Sequence, residues 1–524
     1  MAIKKSINMD VRLTDKEKEI FELLLSVVRE KSPNTILRAA GGWVRDKLLG
    51  IDSHDIDIAV DNLSGLEFAN KVLDWMHEHR LSIQKNVTFI EANTEAQKKV
   101  ESANVNVLGI PIDFVQLRKE TYTEDSRNPT VEVATVEEDA RRRDLTINSL
   151  FYNINDGKIE DFVGGIEDLK NRKARTPINS LKTYLEDPLR ILRAIRFAAK
   201  YDLELDPEII IAAKDPSVVQ SFKTKTKKER IMQELIGTKE GDGWKQGFLT
   251  GPNFDRAVEL LNTLGLRDII FKPTEEHLEN AKNKEQYWQK GWAEDGGWDR
   301  EQNNPHHTET VWNHTVKAIK YLKKIDESKL FEGKKLETKD KIVRNLAMLL
   351  HDIGKCDVCA IQSNEEGHST YHGHARSSAL IAEEILTSLK IPNDIKDRVI
   401  ALIDNHMFLH TQPESTPAKT IRRLVRDLGR ENAPLLVDIS IADSMGKANS
   451  ELNPKYERFG KIIYEYLSRK EVKPPINGRE IMDLLGLKSG KEVGNIVKAL
   501  GEELLQNPDM TREEAVGFVK KYHS

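Results

Sequence analysis

The chain has 524 residues, 39% of them hydrophobic and 31% charged, with a net charge of −5. Such a length holds several domains, and the composition is that of a water-soluble globular protein. No apolar run approaches the ~20 residues of a membrane span, and the opening MAIKKSINMDVRLTDKEKE lacks the apolar core of a signal peptide. Two cysteines exclude a disulfide framework and point to the reducing cytoplasm, while mild acidity argues against indiscriminate coating of nucleic acid.

Residues 14–30, TDKEKEIFELLLSVVRE, are expected to form an amphipathic leader helix (segment 1–35) with Thr14 as its N-cap. A region mixing strands and helices follows from 36 to about 118. It opens with LRAAGGWVRDKLLGIDSHDIDIA (37–59): Gly41-Gly42, a short helix from Trp43 to Leu49, then Asp55-Ile56-Asp57. If Ile56 and Ile58 face a core, strand alternation puts Asp55 and Asp57 together on the other face. Two carboxylates near a Gly-Gly turn suit Mg²⁺ and a triphosphate, because Mg²⁺ binds through one or two carboxylates plus substrate phosphates. The glycines let backbone N–H groups approach phosphate, and Arg45 offers a guanidinium for its oxygens. A lone Asp-x-Asp is more often a solvated strand edge, so the rest of the chain has to decide.

GLEFANKVLDWMHEH reads as a helix and VNVLGIPIDFVQLR as a hairpin turning at Gly109. The second arm alternates Ile110, Ile112 and Phe114 against Asp113, a third acid on a strand positioned to neighbour Asp55 and Asp57. Residues 119–137 read as a long polar, irregular segment, of a kind that is often functional. From 138 helix signals dominate, in RRRDLTINSLFYN (141–153), GGIEDLKNR, EDPLRILRAIRFAAKY and KKERIMQELI, with a helical pair around Leu264-Gly265-Leu266. Three arginines at a helix start oppose the helix dipole and so suggest a phosphate partner.

In EDPLRILRAIR, Pro188 suits a first helical turn. Asp187 and Arg190 share a face, continued by Arg193 and Arg196. A salt-bridged surface helix is the ordinary meaning of such a row. Base recognition is the alternative: cytosine and adenine each present an amino donor beside a ring-nitrogen acceptor, matched by a carboxylate and a guanidinium. Uracil and guanine would mismatch both, at about 1–3 kcal/mol for each group left unpaired.

Four of the seven tryptophans lie within 288–312 and mark a junction. Residues 306–450 are helical and hold nine of the fourteen histidines. His314, His351-Asp352, His374, His406 and Asp443 offer imidazole and carboxylate ligands suited to a divalent transition metal or Mg²⁺, with enough histidines for a second ion. His306, His307, His368, His372 and His410 are expected to be satisfied or surface histidines. Cys356 and Cys359 form a lone CxxC, expected to be incidental. Residues 451–524 read as a small helical tail.

GGxVRD followed by HDIDIA resembles the head domain of the nucleotidyltransferase superfamily, in its tRNA CCA-adding and poly(A) polymerase branch. RRRDLTINSLFYN resembles the second motif of that family, DFVGGIEDLKNRKART (161–176) its hinge motif and KKERIMQEL its neck-stabilising helix. EDPLR resembles the EDxxR amino-acid template of class II enzymes. The resemblance implies catalytic Asp55 and Asp57 holding Mg²⁺, with Asp113 as a third ligand or proton acceptor. It implies that Gly41, Gly42, Arg45, Asp46, Arg143, Asp144 and Asn148 surround the sugar and phosphates, and that Glu186, Asp187, Arg190, Arg193 and Arg196 serve the base. The histidine set resembles an HD domain, implying His314, His351, Asp352, His374, His406 and Asp443 as ligands of Ni²⁺, Mn²⁺, Co²⁺ or Mg²⁺. Bacterial CCA-adding enzymes with such a domain imply 2′,3′-cyclic phosphodiesterase, 2′-nucleotidase or phosphatase activity.

The expected fold is α+β: a nucleotidyltransferase head with a small mixed sheet (36–160), an all-α neck (161–275), a linker (276–305), an HD helical domain (306–450) and the tail. The expected function is template-independent addition of C and A to the 3′ end of tRNA from CTP and ATP, without a membrane partner. Local positive charge in LKNRKAR and FKTKTKKER is expected to face the tRNA. A poly(A) polymerase, or an enzyme adding only A or only CC, shares these motifs. A non-enzymatic tRNA-binding protein fits less well with intact acids.

Overall fold

The computed structural model describes residues 11–53, 55–81, 88–90, 102–123, 126–240, 243–273, 297–302, 309–328, 336–356, 361–363, 369–447, 451–468 and 474–523. The chain forms two compact units, one of residues 1–238 and 246–269, the other of 239–245 and 270–524. His306, His307, His368, Cys359 and most of the linker fall outside the described residues.

In the first unit α1 (Asp15–Lys31) starts at a capping box, Thr14 and Glu17 each accepting from the other's N–H. Its apolar face, with Ile20, Leu24 and Val27, is buried. Phe21 lies 5.7 Å edge-on from Trp43, so the leader belongs to the head's core. β1 (Leu37–Ala40) and α2 (Gly42–Leu48) carry the Gly-Gly corner. β2 (Ile56–Val60), α3 (Gly65–Glu78), β3 (Thr88–Ile90), β4 (Ser102–Val107) and β5 (Ile110–Gln116) follow. The β4–β5 turn is Leu108-Gly109, with φ of 53° and 91°, the positive pair a two-residue hairpin requires.

Next come β6 (Arg118–Thr123), β7 (Ser126–Val133), α4 (Val136–Arg141), β8 (Phe151–Asn153) and β9 (Lys158–Glu160). The main sheet runs β3-β4-β5-β2-β1-β8-β9. Only β2 and β5 pair in parallel; the other neighbours are antiparallel.

Residues 119–137 are not irregular: β6 and β7 pair as an antiparallel hairpin, which their β-branched threonines and valines favour despite the polar composition. Nor is 141–153 a helix. Thr135 and Glu138 make a capping box that starts α4 earlier, and the helix ends at Arg141. Thr146–Asn148 is one 3₁₀ turn before β8. The arginines therefore lie at a helix C-terminus, where the dipole favours cations, and the dipole argument for a phosphate partner falls.

The neck comprises α5 (Gly165–Lys170), α6 (Ser180–Glu186), α7 (Arg190–Tyr201), α8 (Pro207–Ala213), α9 (Pro216–Lys225), α10 (Lys228–Ile236), α11 (Phe254–Thr263) and α12 (Arg267–Ile270). α7 begins at Arg190 rather than in the acids before it. Asp187, extended at φ −139° and ψ 98°, caps α6, as expected of a residue whose α conformation is disfavoured by the following proline.

The second unit holds a bundle of α13 (Val311–Ser328), α14 (Thr338–Leu350), α15 (His374–Ser388), α16 (Asn393–Asn405), α17 (Phe408–Thr411), α18 (Ala418–Leu428), α19 (Asn432–Met445) and α20 (Pro454–Ser468). α20 packs on α18 and α19. The tail, α21 (Gly478–Leu485), α22 (Lys491–Gln506) and α23 (Arg512–His523), has its own core around Ile481, Ile496, Leu500 and Val519. Among the described residues no helix is long and apolar enough to cross a membrane. The architecture is the expected α+β head followed by helices.

Candidate active sites

On β2, Ile56 and Ile58 are buried while Asp57 between them is exposed, as is Asp55 just ahead of the strand. Asp113 stands in register with Asp57 across the parallel β2–β5 pair, so the two occupy neighbouring positions on one sheet face. Asn104 Nδ2 donates to Asp113 Oδ1 at 2.8 Å. Gly41 has φ +63°, and a Cβ there would lie 2.6 Å from Arg143 Nη1. Its N–H donates to Leu150 O at 2.8 Å. That amide is committed to the chain itself.

A continuous polar network runs from this corner into the neck. Arg45, 4% exposed, lies over the rings of Phe197 and Tyr201, 5.0 and 4.4 Å from their centroids. Its Nε donates to Asp46 Oδ1 at 2.9 Å, and its Nη1 donates to Asn148 Oδ1. Tyr201 OH also donates to Asp46, at 2.8 Å. Asn148 Nδ2 donates to Asp144 Oδ1 at 3.0 Å, and Arg193 Nε to Asp144 Oδ2 at 2.7 Å. Burial pushes the Asp144 carboxyl up, but Arg193 and the hydrogen bonds outweigh it and hold the group down at about 2. Glu234 on α10 takes Arg196 at 2.6 Å and Arg193 at 3.8 Å.

Arg143 donates to Asp139 at 2.9 Å and to Asn148 O at 3.1 Å. Arg190 lies 3.4 Å from Glu186 and 3.8 Å from Glu120 on β6, whereas Asp187 meets Arg230 at 3.3 Å. Burial is the main reason that the Glu186 carboxyl is raised. The structure thus gathers Arg45, Asp46, Asp144, Asn148 and Arg193 into one network, and pairs Arg190 with Glu186 rather than with Asp187. Sequence reasoning missed Glu120, Asp139, Phe197, Tyr201 and Glu234. Only Phe197 and Tyr201 carried a signal, their i,i+4 spacing on one helix face.

The second cluster lies within the helical unit. His314 projects from α13, His351 and Asp352 end α14, His374 opens α15, His406 ends α16 and Asp443 lies near the end of α19; all six are buried. Their ligand atoms form two groups, His314, His351, Asp352 and Asp443, and Asp352, His374 and His406, each within 4.8 Å throughout. Asp352 belongs to both. His314 Nε2 is 2.7 Å from Asp443 Oδ1. His351 Nε2 is 3.3 Å from Asp352 Oδ2 and His374 Nε2 3.4 Å from Asp352 Oδ1.

The tautomers follow from the backbone. Nδ1–H of His351, His374 and His406 each donates to the carbonyl three residues back, of Met348, Tyr371 and Ile403, at 2.8, 2.8 and 2.6 Å. That turns each Nε2 inward and leaves those of His374 and His406 bare. The Nε2 atoms of His374 and His406 consequently face each other at 3.1 Å, lone pair to lone pair, and His351 Nε2 is buried without a hydrogen-bond partner. A cation relieves both strains, so this donor set fits divalent ions. Among protein groups alone, burial lowers His351 but Asp352 and Asp443 carry it up to about 9, whereas burial takes His374 down to about 4 and His406 well below its usual range.

Lys355 Nζ lies 2.7 Å from Asp352 Oδ2. Gly354 N–H donates to Ser378 Oγ at 2.8 Å, and a Cβ on Gly354 would sit 2.5 Å from His374 O and Ser378 N. His372 is exposed. His410, expected to be satisfied or at the surface, has its Nε2 2.8 Å from Asp443 Oδ2. Cys356 is buried.

Residues 37–175 match the poly A polymerase head domain and residues 311–446 the HD domain. A nucleotidyltransferase of Purpureocillium lilacinum is 41% identical over 287 residues, which are 51% of this chain; the chain spans about half (48%) of that relative. The mitochondrial CCA tRNA nucleotidyltransferase of Candida glabrata is 29% identical over 97% of this chain and 96% of its own length. A solved apo CCA-adding enzyme shares the fold, with a TM-score of 0.62, 19% identity and coverage of 99% of this chain and 100% of its own.

Proposed function

We infer that the chain, which belongs to the tRNA nucleotidyltransferase and poly(A) polymerase family and carries an HD domain behind its neck, adds C and A to the 3′ end of tRNA from CTP and ATP. The supporting observation is the register of Asp57 with Asp113 on one sheet face, in a chain matched end to end by a CCA-adding relative. The tRNA 3′-hydroxyl attacks the nucleotide α-phosphate and pyrophosphate leaves. Asp55 and Asp57 would hold Mg²⁺, with Asp113 as a further ligand or acceptor of the hydroxyl proton. Mg²⁺ supplies charge to the attacking and leaving oxygens.

Arg143 is the better candidate for the triphosphate, since Arg45 is buried and engaged by Asp46 and Asn148. Arg190 donates to the ring nitrogen of the base while Asp187 accepts from its amino group. Arg45, Asp144, Arg193 and Arg196 brace the helix that presents Arg190. The test offers tRNA lacking its end with CTP alone, ATP alone and both. Bounded addition needing both nucleotides supports the reading. A long A ladder makes the chain a poly(A) polymerase, and addition of A alone or CC alone makes it a partial enzyme.

The buried histidine cluster supports a second activity, hydrolysis of a 2′,3′-cyclic phosphate or terminal phosphoester. Ni²⁺, Mn²⁺, Co²⁺ or Mg²⁺ held by His314, His351, Asp352, His374, His406 and Asp443 would supply an activated water-derived nucleophile. Assay with 2′,3′-cyclic AMP across the four metals, beside Asp352→Ala, decides it; no hydrolysis with any metal leaves the bundle a scaffold. A cytoplasmic site of action is proposed on cysteine content, and imaging of the tagged chain in its native cell checks it.

A further inference from the structure

Resting on the reading of the buried histidines as a metal centre, we propose that His410 and Tyr456 form a supporting pair that orients the Asp443 carboxylate, so that the working site extends past the HD match into α20. Asp443 divides its oxygens. Oδ1 faces His314 at 2.7 Å and His351 at 3.6 Å, while Oδ2 faces His410 Nε2 at 2.8 Å. Lys447, one turn on, lies 3.8 Å from Oδ2.

His410 differs from His351, His374 and His406 in what holds its other nitrogen. Their Nδ1 atoms donate to backbone carbonyls and turn Nε2 inward. His410 Nδ1 meets the Tyr456 hydroxyl at 2.7 Å. A hydroxyl both donates and accepts, so the far side of the ring selects the tautomer. A bare Nε2 at 2.8 Å from a carboxylate oxygen would set lone pair against anion. In a neutral ring the proton therefore lies on Nε2, toward Asp443, and Tyr456 donates to Nδ1. The Nε2–H is not straight on Oδ2 in hydrogen-bond geometry, and it acts as a short electrostatic contact.

The pair is itself fixed. Tyr456 is buried, with its ring edge-on to His410 at 5.7 Å. The neighbouring Lys455 Nζ donates to the carbonyls of His410 and Gln412 at 2.8 and 3.1 Å. Both residues belong to α20, beyond residue 446 where the HD match ends. Partners behind a ligand set its orientation, and their loss typically lowers metal affinity about ten- to a hundredfold.

The test measures Mn²⁺ affinity of the full chain by chelator competition, for wild type, His410→Ala, His410→Gln, Tyr456→Phe, the double variant and Asp443→Ala. His410→Ala should weaken binding about ten- to a hundredfold. Tyr456→Phe should weaken it less, and the double variant no more than His410→Ala alone. His410→Gln, whose amide keeps an N–H donor, should recover part of the loss. Unfolding curves and nucleotide addition, made in the other unit, confirm that each variant is folded. Wild-type affinity in His410→Ala overturns the proposal, as does a loss as complete as that of Asp443→Ala, which makes His410 a ligand. If wild type binds no Mn²⁺, the metal-centre reading fails first and takes the pair with it.

Discussion

The head places its acids on an exposed strand face, with Asp55 and Asp57 two residues apart and Asp113 on the adjoining strand. The helical unit collects its candidate ligands from separate helices and buries all six. On the proposed reading an open sheet face would admit a nucleotide and an RNA end, and Mg²⁺ there would be completed by substrate phosphates. A buried cage with its ring orientations already set would hold a metal without substrate. The difference teaches where each site's affinity for metal would come from: from the substrate in one, from the protein in the other.

The largest effects should separate the two sites completely. Asp57→Ala should abolish nucleotide addition while leaving retained transition metal unchanged, as read by incorporation assay and metal analysis. Asp352→Ala should do the reverse, because its carboxylate belongs to both ligand groups. Treatment with a chelator followed by Mg²⁺ alone should restore addition and not a transition-metal-dependent hydrolysis. Loss of both activities in either variant would break the comparison.

A smaller effect tests the brace inside the head. Asp144 is held at about 2, below its ordinary 3.8. A depressed carboxyl stabilises the fold above its unfolded titration and loses that contribution as pH falls through its folded one. Asp144→Asn should therefore cost the head about 2 kcal/mol at pH 7. The gap to wild type should close as pH falls from about 4 to 2, followed by denaturant melts. Arg190→Ala should relax discrimination against UTP and GTP by about 1–3 kcal/mol, measured as ratios of kcat/KM. Undiminished exclusion would move base choice to other residues. Thr14→Ala, which removes the cap of α1, should cost about 1 kcal/mol of head stability and leave metal retention in the helical unit untouched.

What was legible in the sequence was periodic or local. The alternation around Ile112 gave the third acid its strand, and Thr14 with Glu17 gave α1 its start. The clustering of the HD residues was legible because residue type and order carry over long gaps. What escaped depended on competition between partners. Nothing local says that Arg45 will be taken by Asp46, Asn148 and two aromatic rings, or that the Gly41 amide will belong to Leu150. The arginines of 141–143 read as a helix start, whereas the capping box at Thr135 begins the helix earlier and puts them at its end. The partners of His410, Asp443 and Tyr456, could not be named from the sequence because they are 33 and 46 residues further along it.

Gly354 has a consequence for what this chain tolerates over generations. A methyl group there would be driven into the backbone of His374 and Ser378 at 2.5 Å, and backbone cannot swing aside as a side-chain tip does. The residue is a contact point between the turn bearing Asp352 and the first turn of α15, with no slack in either direction. Saturation of that codon should return almost nothing but glycine under selection for the second activity. Under selection for nucleotide addition alone the same codon should drift, within whatever the bundle's folding permits.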